Sequence, residues 1–230
     1  MGKKDGSKWM VIDYHNLNDQ LVKNNYLLPL ITELIDNMGS KKVFTKVDLR
    51  WRFNNVRIKE EDEWKGVFTM HIGSFKPTVM FFGITNSSAT FQVMMNEILR
   101  DLINEEKVAT FVDDVLVGTE IEEGHDEIVE EILRRLEENN LYIKPEKCVW
   151  KVRKIGFLGV VIGPNGIEME EEKVDGMLSW LEPKNVKDVR KFLGLVNYYR
   201  RFIKDFAQVT RPMNKERYKV AVGSGIAKGI

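Results

Sequence analysis

Two adjacent aspartates, Asp113 and Asp114, lie between Phe111-Val112 and Val115-Leu116-Val117. Like charges this close repel unless something positive joins them. A divalent metal is the usual solution: magnesium takes hard oxygen ligands, typically one or two carboxylates with substrate phosphates and water. Asp48 shows a related pattern, a single acid at the end of the apolar run that starts at Val43. An acid after a strand is often a plain turn residue or helix cap. That reading suits Asp48 taken alone better than it suits the pair, whose flanks are strongly apolar. Three carboxylates on two strands would suit two-metal phosphoryl transfer, in which one metal activates a hydroxyl and the other stabilises the leaving pyrophosphate. Only a fold can bring Asp48 to the pair.

The elements that must do so can be read from periodicity. Val43 to Leu49 is β-branched and apolar and predicts a strand, and residues 107–119 predict a hairpin with the two acids at its bend. Trp9 to Tyr14, Val56 to Lys59, Trp64 to Met70, Leu141 to Ile143 and Phe157 to Ile162 fit further strands. Helical spacing marks Leu30 to Met38, Ser87 to Asn104, Asp126 to Asn139 and Val186 to Ile203. Asp5-Gly6 and Pro164-Asn165-Gly166 read as turns, and the glycine-rich end as a frayed tail. Strands and helices mixed without strict alternation indicate an α+β fold. Met94 and Met95 read as core. His15, His71 and His125 show no ligand spacing and read as surface residues. Cys148 reads as packed rather than reactive.

The 230 residues carry 35 basic and 35 acidic side chains, a formal net charge of zero, with 43% hydrophobic residues. This is too apolar for disorder and long enough for a substantial core. One cysteine excludes a disulfide framework, no apolar run is long enough to span a membrane, and the start lacks a signal peptide's apolar stretch; an intracellular setting is the expectation. The zero hides an asymmetry. Residues 105–138 hold 13 acids and three bases, whereas residues 184–219 hold 11 bases and three acids. The neutral total argues against a nucleic-acid binder, but such asymmetry matters more than the total.

The blocks Lys3-Lys4-Asp5-Gly6-Ser7, Val11-Ile12-Asp13-Tyr14, Phe44-Thr45-Lys46-Val47-Asp48-Leu49-Arg50, Phe82-Gly83-Ile84-Thr85-Asn86, Ala89-Thr90-Phe91-Gln92, Phe111-Val112-Asp113-Asp114, Lys147-Cys148, Phe157-Leu158-Gly159 and Phe192-Leu193-Gly194-Leu195 stand in one order. Together they resemble the reverse transcriptase domain of gypsy-type LTR retrotransposon polyproteins, from Lys3 to about Pro212. The resemblance implies a right-hand polymerase with an antiparallel palm sheet. Residues 1–50 and 56–82 would be partial fingers, 43–55 and 83–163 palm, 164–214 partial thumb and 215–230 a disordered tail. It implies RNA-directed DNA polymerase activity, two Mg2+ ions (or Mn2+) on Asp48, Asp113 and Asp114, an RNA or DNA template with primer, and deoxynucleoside triphosphates. Phe53 would exclude a 2′-hydroxyl, Phe82 and Gly83 would floor the nucleotide pocket, and Lys3 or Lys4 would reach the triphosphate. Phe157, Leu158 and Gly159 would hold the primer end, and Lys147 is the candidate general acid.

The chain departs from the family pattern at Trp9 and His15 (usually Arg), Leu27 and Ser88 (usually Pro) and Arg52 (usually Gly). Arg52 adds bulk and charge beside the nucleotide pocket, where backbone should approach substrate. These departures, and the stretch of family sequence expected before Lys3 and after about Asn214, read as a truncated, partly degenerate copy of a longer polyprotein. The alternative function is then a non-catalytic remnant that binds nucleic acid at most. A metal-dependent nuclease is a distant third.

Overall fold

The computed structural model describes residues 12–183 and 185–219. The opening turn, Lys3, Lys4 and Trp9 lie outside these residues. Early in the chain come α1 (His15–Gln20) and α2 (Ile31–Met38), then β1 (Val43–Asp48), two 3₁₀ segments (Arg52–Asn55, Glu60–Gly66) and the hairpin β2 (Phe68–Met70)–β3 (Gly73–Phe75). Next are α3 (Ser87–Ile98), α4 (Arg100–Asn104), the hairpin β4 (Val108–Phe111)–β5 (Asp114–Thr119) and α5 (His125–Glu138). The rest is β6 (Val149–Val152), β7 (Ile155–Phe157), β8 (Val160–Gly163), β9 (Gly166–Met169), α6 (Glu171–Leu178), α7 (Val186–Tyr198) and α8 (Phe206–Lys219).

Among the described residues the chain forms two compact units, one running to Ile155 with Ile162–Gly166, the other taking Gly156–Val161 and the residues from Ile167. The first is built on a four-stranded sheet, β4-β5-β1-β6, antiparallel throughout. Register assigns its faces. Val47 pairs with Val115 and Thr45 with Val117, so these valines share one face with Val108. That face meets Phe91, Met95 and Leu99 from the α3 region and Val129, Ile132 and Leu136 from α5 in one core cluster. The other face of the same two strands carries Lys46, Asp48, Asp114 and Leu116. A slip of one residue would swap the two sets, so burying the valines is what exposes the acids together.

In the second unit, α7 starts at Asn185, whose side chain accepts a hydrogen bond from Asp188 N. Val189, Val196 and Tyr199 are buried, and Trp180 packs on Phe192.

Several expectations change. Ser87 to Asn104 is two helices, because Leu99 leaves helical geometry at φ −113° and ψ 17°. Residues 64–66 belong to a 3₁₀ segment rather than to the strand, which begins at Phe68, and residues 56–59 and 141–143 contribute only the isolated bridges Arg57–Val79 and Leu49–Ile143. Residues 157–162 are two strands split by a turn, and residues 215–219 are helical rather than tail. α1, β3, β6, β9, α6 and α8 have no counterpart in the sequence reading. His125 is not a surface residue: it is fully buried, its Nε2 2.8 Å from Thr45 Oγ1 and its Nδ1 2.9 Å from Thr119 Oγ1. Thr119 Oγ1 donates to Ile121 O, so Nδ1 must donate to it; Nε2 then accepts from Thr45. No described helix is long and apolar enough to cross a membrane.

Candidate active site

Asp48 closes β1, and its direct cross-strand partner is Asp114, the first residue of β5. Phe111 pairs with Asp114, which leaves Val112 and Asp113 as a two-residue hairpin turn. Val112 has φ 55°, a conformation that costs a β-branched residue roughly 1–2 kcal/mol. It is held there by Gln92, a fully buried α3 residue whose Oε1 accepts from Val112 N at 2.7 Å. Gln92 Nε2 donates to Asn96 Oδ1 (2.8 Å) and Thr110 Oγ1 (3.0 Å), and Asn96 in turn donates to Tyr26 Oη at 2.7 Å. The helix therefore fixes the turn that carries Asp113.

The three aspartates thus stand at one end of the sheet, and each faces a base. Lys46 Nζ is 3.0 Å from Asp114 Oδ1, a diagonal contact on the same sheet face. Lys144 Nζ is 3.1 Å from Asp48 Oδ1 and 3.3 Å from Leu49 O. Arg52 Nε is 2.5 Å from Asp113 Oδ2. The Asp113 side chain is only 7% exposed, and Oδ2 receives no aligned hydrogen bond; the arginine contact is ionic. Burial pushes the Asp113 carboxyl above its ordinary value, and Asp114 and Asp48 push the same way, against Arg52. The donor chemistry fits a hard divalent cation: carboxylate oxygens, one of them a buried acceptor without a hydrogen bond. Yet among the described residues no three ligating side chains are gathered into a metal cluster; each of the three carboxylates pairs with its own base.

The sequence reading missed Lys46, Lys144 and Gln92 as site residues. Lys147 is exposed on the 3₁₀ turn Pro145–Lys147, whereas Lys144 reaches Asp48 because its N–H also donates to Asp48 O at 2.9 Å. Cys148 sits behind the same residue: Asp48 N donates to its Sγ at 3.5 Å, and burial pushes the thiol pKa up. Phe53 is buried and meets Phe82 edge-to-face, with ring centroids 5.1 Å apart. Gly83 has φ +98°, and a Cβ there would lie 3.3 Å from Ile12 O, so the position requires glycine. Lys3 and Lys4 lie outside the described residues.

In the second unit, Leu158 (φ 47°) and Gly159 (φ 79°) form the tight turn between β7 and β8, with Phe157 buried beside it. Tyr198 Oη donates to Leu158 O, and Tyr199 Oη donates to Gly159 O at 3.2 Å. The turn is thus clamped by the C-terminal end of α7.

Residues 1–162 match the family described as "Reverse transcriptase (RNA-dependent DNA polymerase)". Over 212 residues the chain is 37% identical to the Transposon Tf2-3 and Tf2-7 polyproteins of Schizosaccharomyces pombe (strain 972), covering 92% of this chain. It spans 16% of the length of those polyproteins. Among solved structures it is similar to a foamy viral protease-reverse transcriptase in complex with double-stranded DNA (TM-score 0.88, 24% identity, 98% of this chain and 39% of that one). A foamy viral protease-reverse transcriptase with an RNA/DNA hybrid gives a TM-score of 0.80 at 23% identity, over 94% of this chain and 28% of that one. These likenesses carry the fold: a right-hand polymerase with an antiparallel palm sheet.

Proposed function

Because the chain belongs to the reverse transcriptase family, we propose that it is the core of an RNA-directed DNA polymerase, adding deoxynucleotides to a primer on an RNA or DNA template. The observation that carries this reading is the direct pairing of Asp48 with Asp114, with Asp113 in the adjoining turn. Asp48, Asp113 and Asp114 would hold the divalent cations, Mg2+ first and Mn2+ as substitute. Cations held by these carboxylates would supply activation of the primer hydroxyl and charge neutralisation at the leaving pyrophosphate.

The protein's own groups supply position. Gln92 fixes Val112 and so sets Asp113 at the hairpin tip. Phe53, backed by Phe82 and Phe91, is a rigid wall against a sugar 2′-hydroxyl. Gly83 lets backbone approach the nucleotide, and Lys3 or Lys4 would meet its triphosphate. Lys144, the ammonium beside Asp48, is better placed than Lys147 to hand a proton from Nζ to pyrophosphate. The turn of Phe157, Leu158 and Gly159, held by two tyrosines, would bear on the primer end.

The pairing of every aspartate with a base favours a second reading, a remnant that binds duplex without turnover. Primer extension on poly-rA/oligo-dT separates the two. Polymerase activity predicts metal-dependent incorporation that Asp114→Asn abolishes. The remnant predicts no incorporation, with salt-sensitive duplex binding that survives Asp113→Asn.

A further inference from the structure

We propose, building on the reading of the three aspartates as cation ligands, that Arg52 is an internal counter-cation that competes with divalent metal for Asp113. The site is thereby held in a low-affinity state until the arginine swings out.

The backbone is committed to this contact. Trp51 (φ 59°) and Arg52 (φ 40°) are consecutive left-handed residues, closed by Arg52 N donating to Arg50 O at 2.7 Å. Glycine takes such a conformation without steric cost, and a long charged side chain does not. That bend delivers the guanidinium to a carboxylate which is nearly fully buried and otherwise without a hydrogen bond on Oδ2.

Geometry also makes the arginine the base that leaves. Its side chain is 43% exposed, against 21% for Lys46 and 26% for Lys144. Released, it regains full hydration from a position already partly in water. Its contact lacks the paired, aligned N–H groups that make arginine–carboxylate pairs strong. Lys46 belongs to β1, and Lys144 is tied by its backbone to Asp48 O and by its ammonium to Leu49 O. A guanidinium and a dication on one carboxylate oxygen repel strongly in a half-buried setting. Metal entry at Asp113 Oδ2 is therefore opposed by Arg52 and favours its displacement.

The test is Mn2+ binding to the purified chain, read as the loss of the free-ion electron paramagnetic resonance signal at neutral pH. Arg52→Gly and Arg52→Gln should bind Mn2+ about tenfold or more tightly than the unmodified chain, the size of effect one nearby charge has on a carboxylate's proton affinity. Adding Asp113→Asn to Arg52→Gln should remove that gain. Arg52→Gln keeps the side-chain length, so it serves if the glycine variant does not fold. In the unmodified chain, the Arg52 Nε–H nuclear magnetic resonance signal should shift as Mg2+ is added. Equal Mn2+ affinity in the unmodified and Arg52→Gln chains, or an Arg52 signal unmoved at saturating Mg2+, overturns the competition alone. No Mn2+ binding by any of them overturns the cation reading and the competition with it.

Discussion

Replacing Gln92 by leucine tests whether the catalytic turn is imposed by α3 rather than chosen by its own sequence. Gln92 is fully buried and holds Val112 N at 2.7 Å, with Val112 at φ 55°. Leucine leaves that N–H without its partner, a cost of about 1–3 kcal/mol. A valine freed to relax gives back part of the roughly 1–2 kcal/mol of strain that its left-handed conformation costs, but Thr110 Oγ1 also loses its donor, Gln92 Nε2. The net cost should be about 1–3 kcal/mol. At roughly 2–4 °C per kcal/mol for a chain of this size, the melting temperature should fall by about 2–12 °C. The sharper assay is a double-mutant cycle with Val112→Gly, read by urea denaturation. Glycine accepts the turn without strain, so no strain is released to offset the lost bond, and Gln92→Leu should cost about 1 kcal/mol more in that background. Additivity within about 0.5 kcal/mol, or a single-mutant cost below that value, would refute the clamp.

Three further outcomes follow from the same structure. Burial raises the folded-state pKa of Asp113, so its contribution to stability is present at acid pH and lost as pH rises through that raised value. Asp113→Asn should therefore match or exceed the unmodified chain in urea midpoint at pH 7, and the gap should close on acidification; a less stable variant at pH 7 contradicts this. His125 is depressed by burial, so stability is full above its ordinary value of 6.5 and is lost as pH falls below it. Melting curves between pH 7.5 and 5 should show a loss that His125→Gln lessens, because a protonated ring turns a second donor toward Thr45. Gly159→Ala meets φ +79° and places a Cβ 3.0 Å from Tyr199 Oη, so it should cost at least about 1–2 kcal/mol. Tyr199→Phe should recover part of that loss, and no recovery would deny the clamp.

What sequence could and could not reveal divides along local and long-range lines. The acids at the hairpin bend are legible because strongly apolar, β-branched runs flank them, and a similar run marks β1. The pairing of Asp48 with Asp114 needed the register, which the core-facing valines fix. Gln92 was visible only as a letter in Ala89-Thr90-Phe91-Gln92, since nothing local to α3 says that it faces a turn twenty residues on. Lys147 drew notice beside Cys148, but Lys144 is the lysine turned to Asp48, through a backbone bond that spacing does not encode. His125 reads as a surface residue because the histidines show no ligand spacing, and the partner that accounts for its burial is Thr45, eighty residues away. Arg52 stood out as a departure from a glycine position; that it lands on Asp113 follows from two left-handed residues that no propensity predicts.

The most direct test of the polymerase reading is dTMP incorporation on poly-rA/oligo-dT with Mg2+, measured side by side for the unmodified chain, Arg52→Gly and Asp114→Asn. The account predicts primer extension that rises when Arg52 is removed and vanishes when Asp114 is neutralised. Absence of extension from all three, or extension that persists in Asp114→Asn, would contradict it.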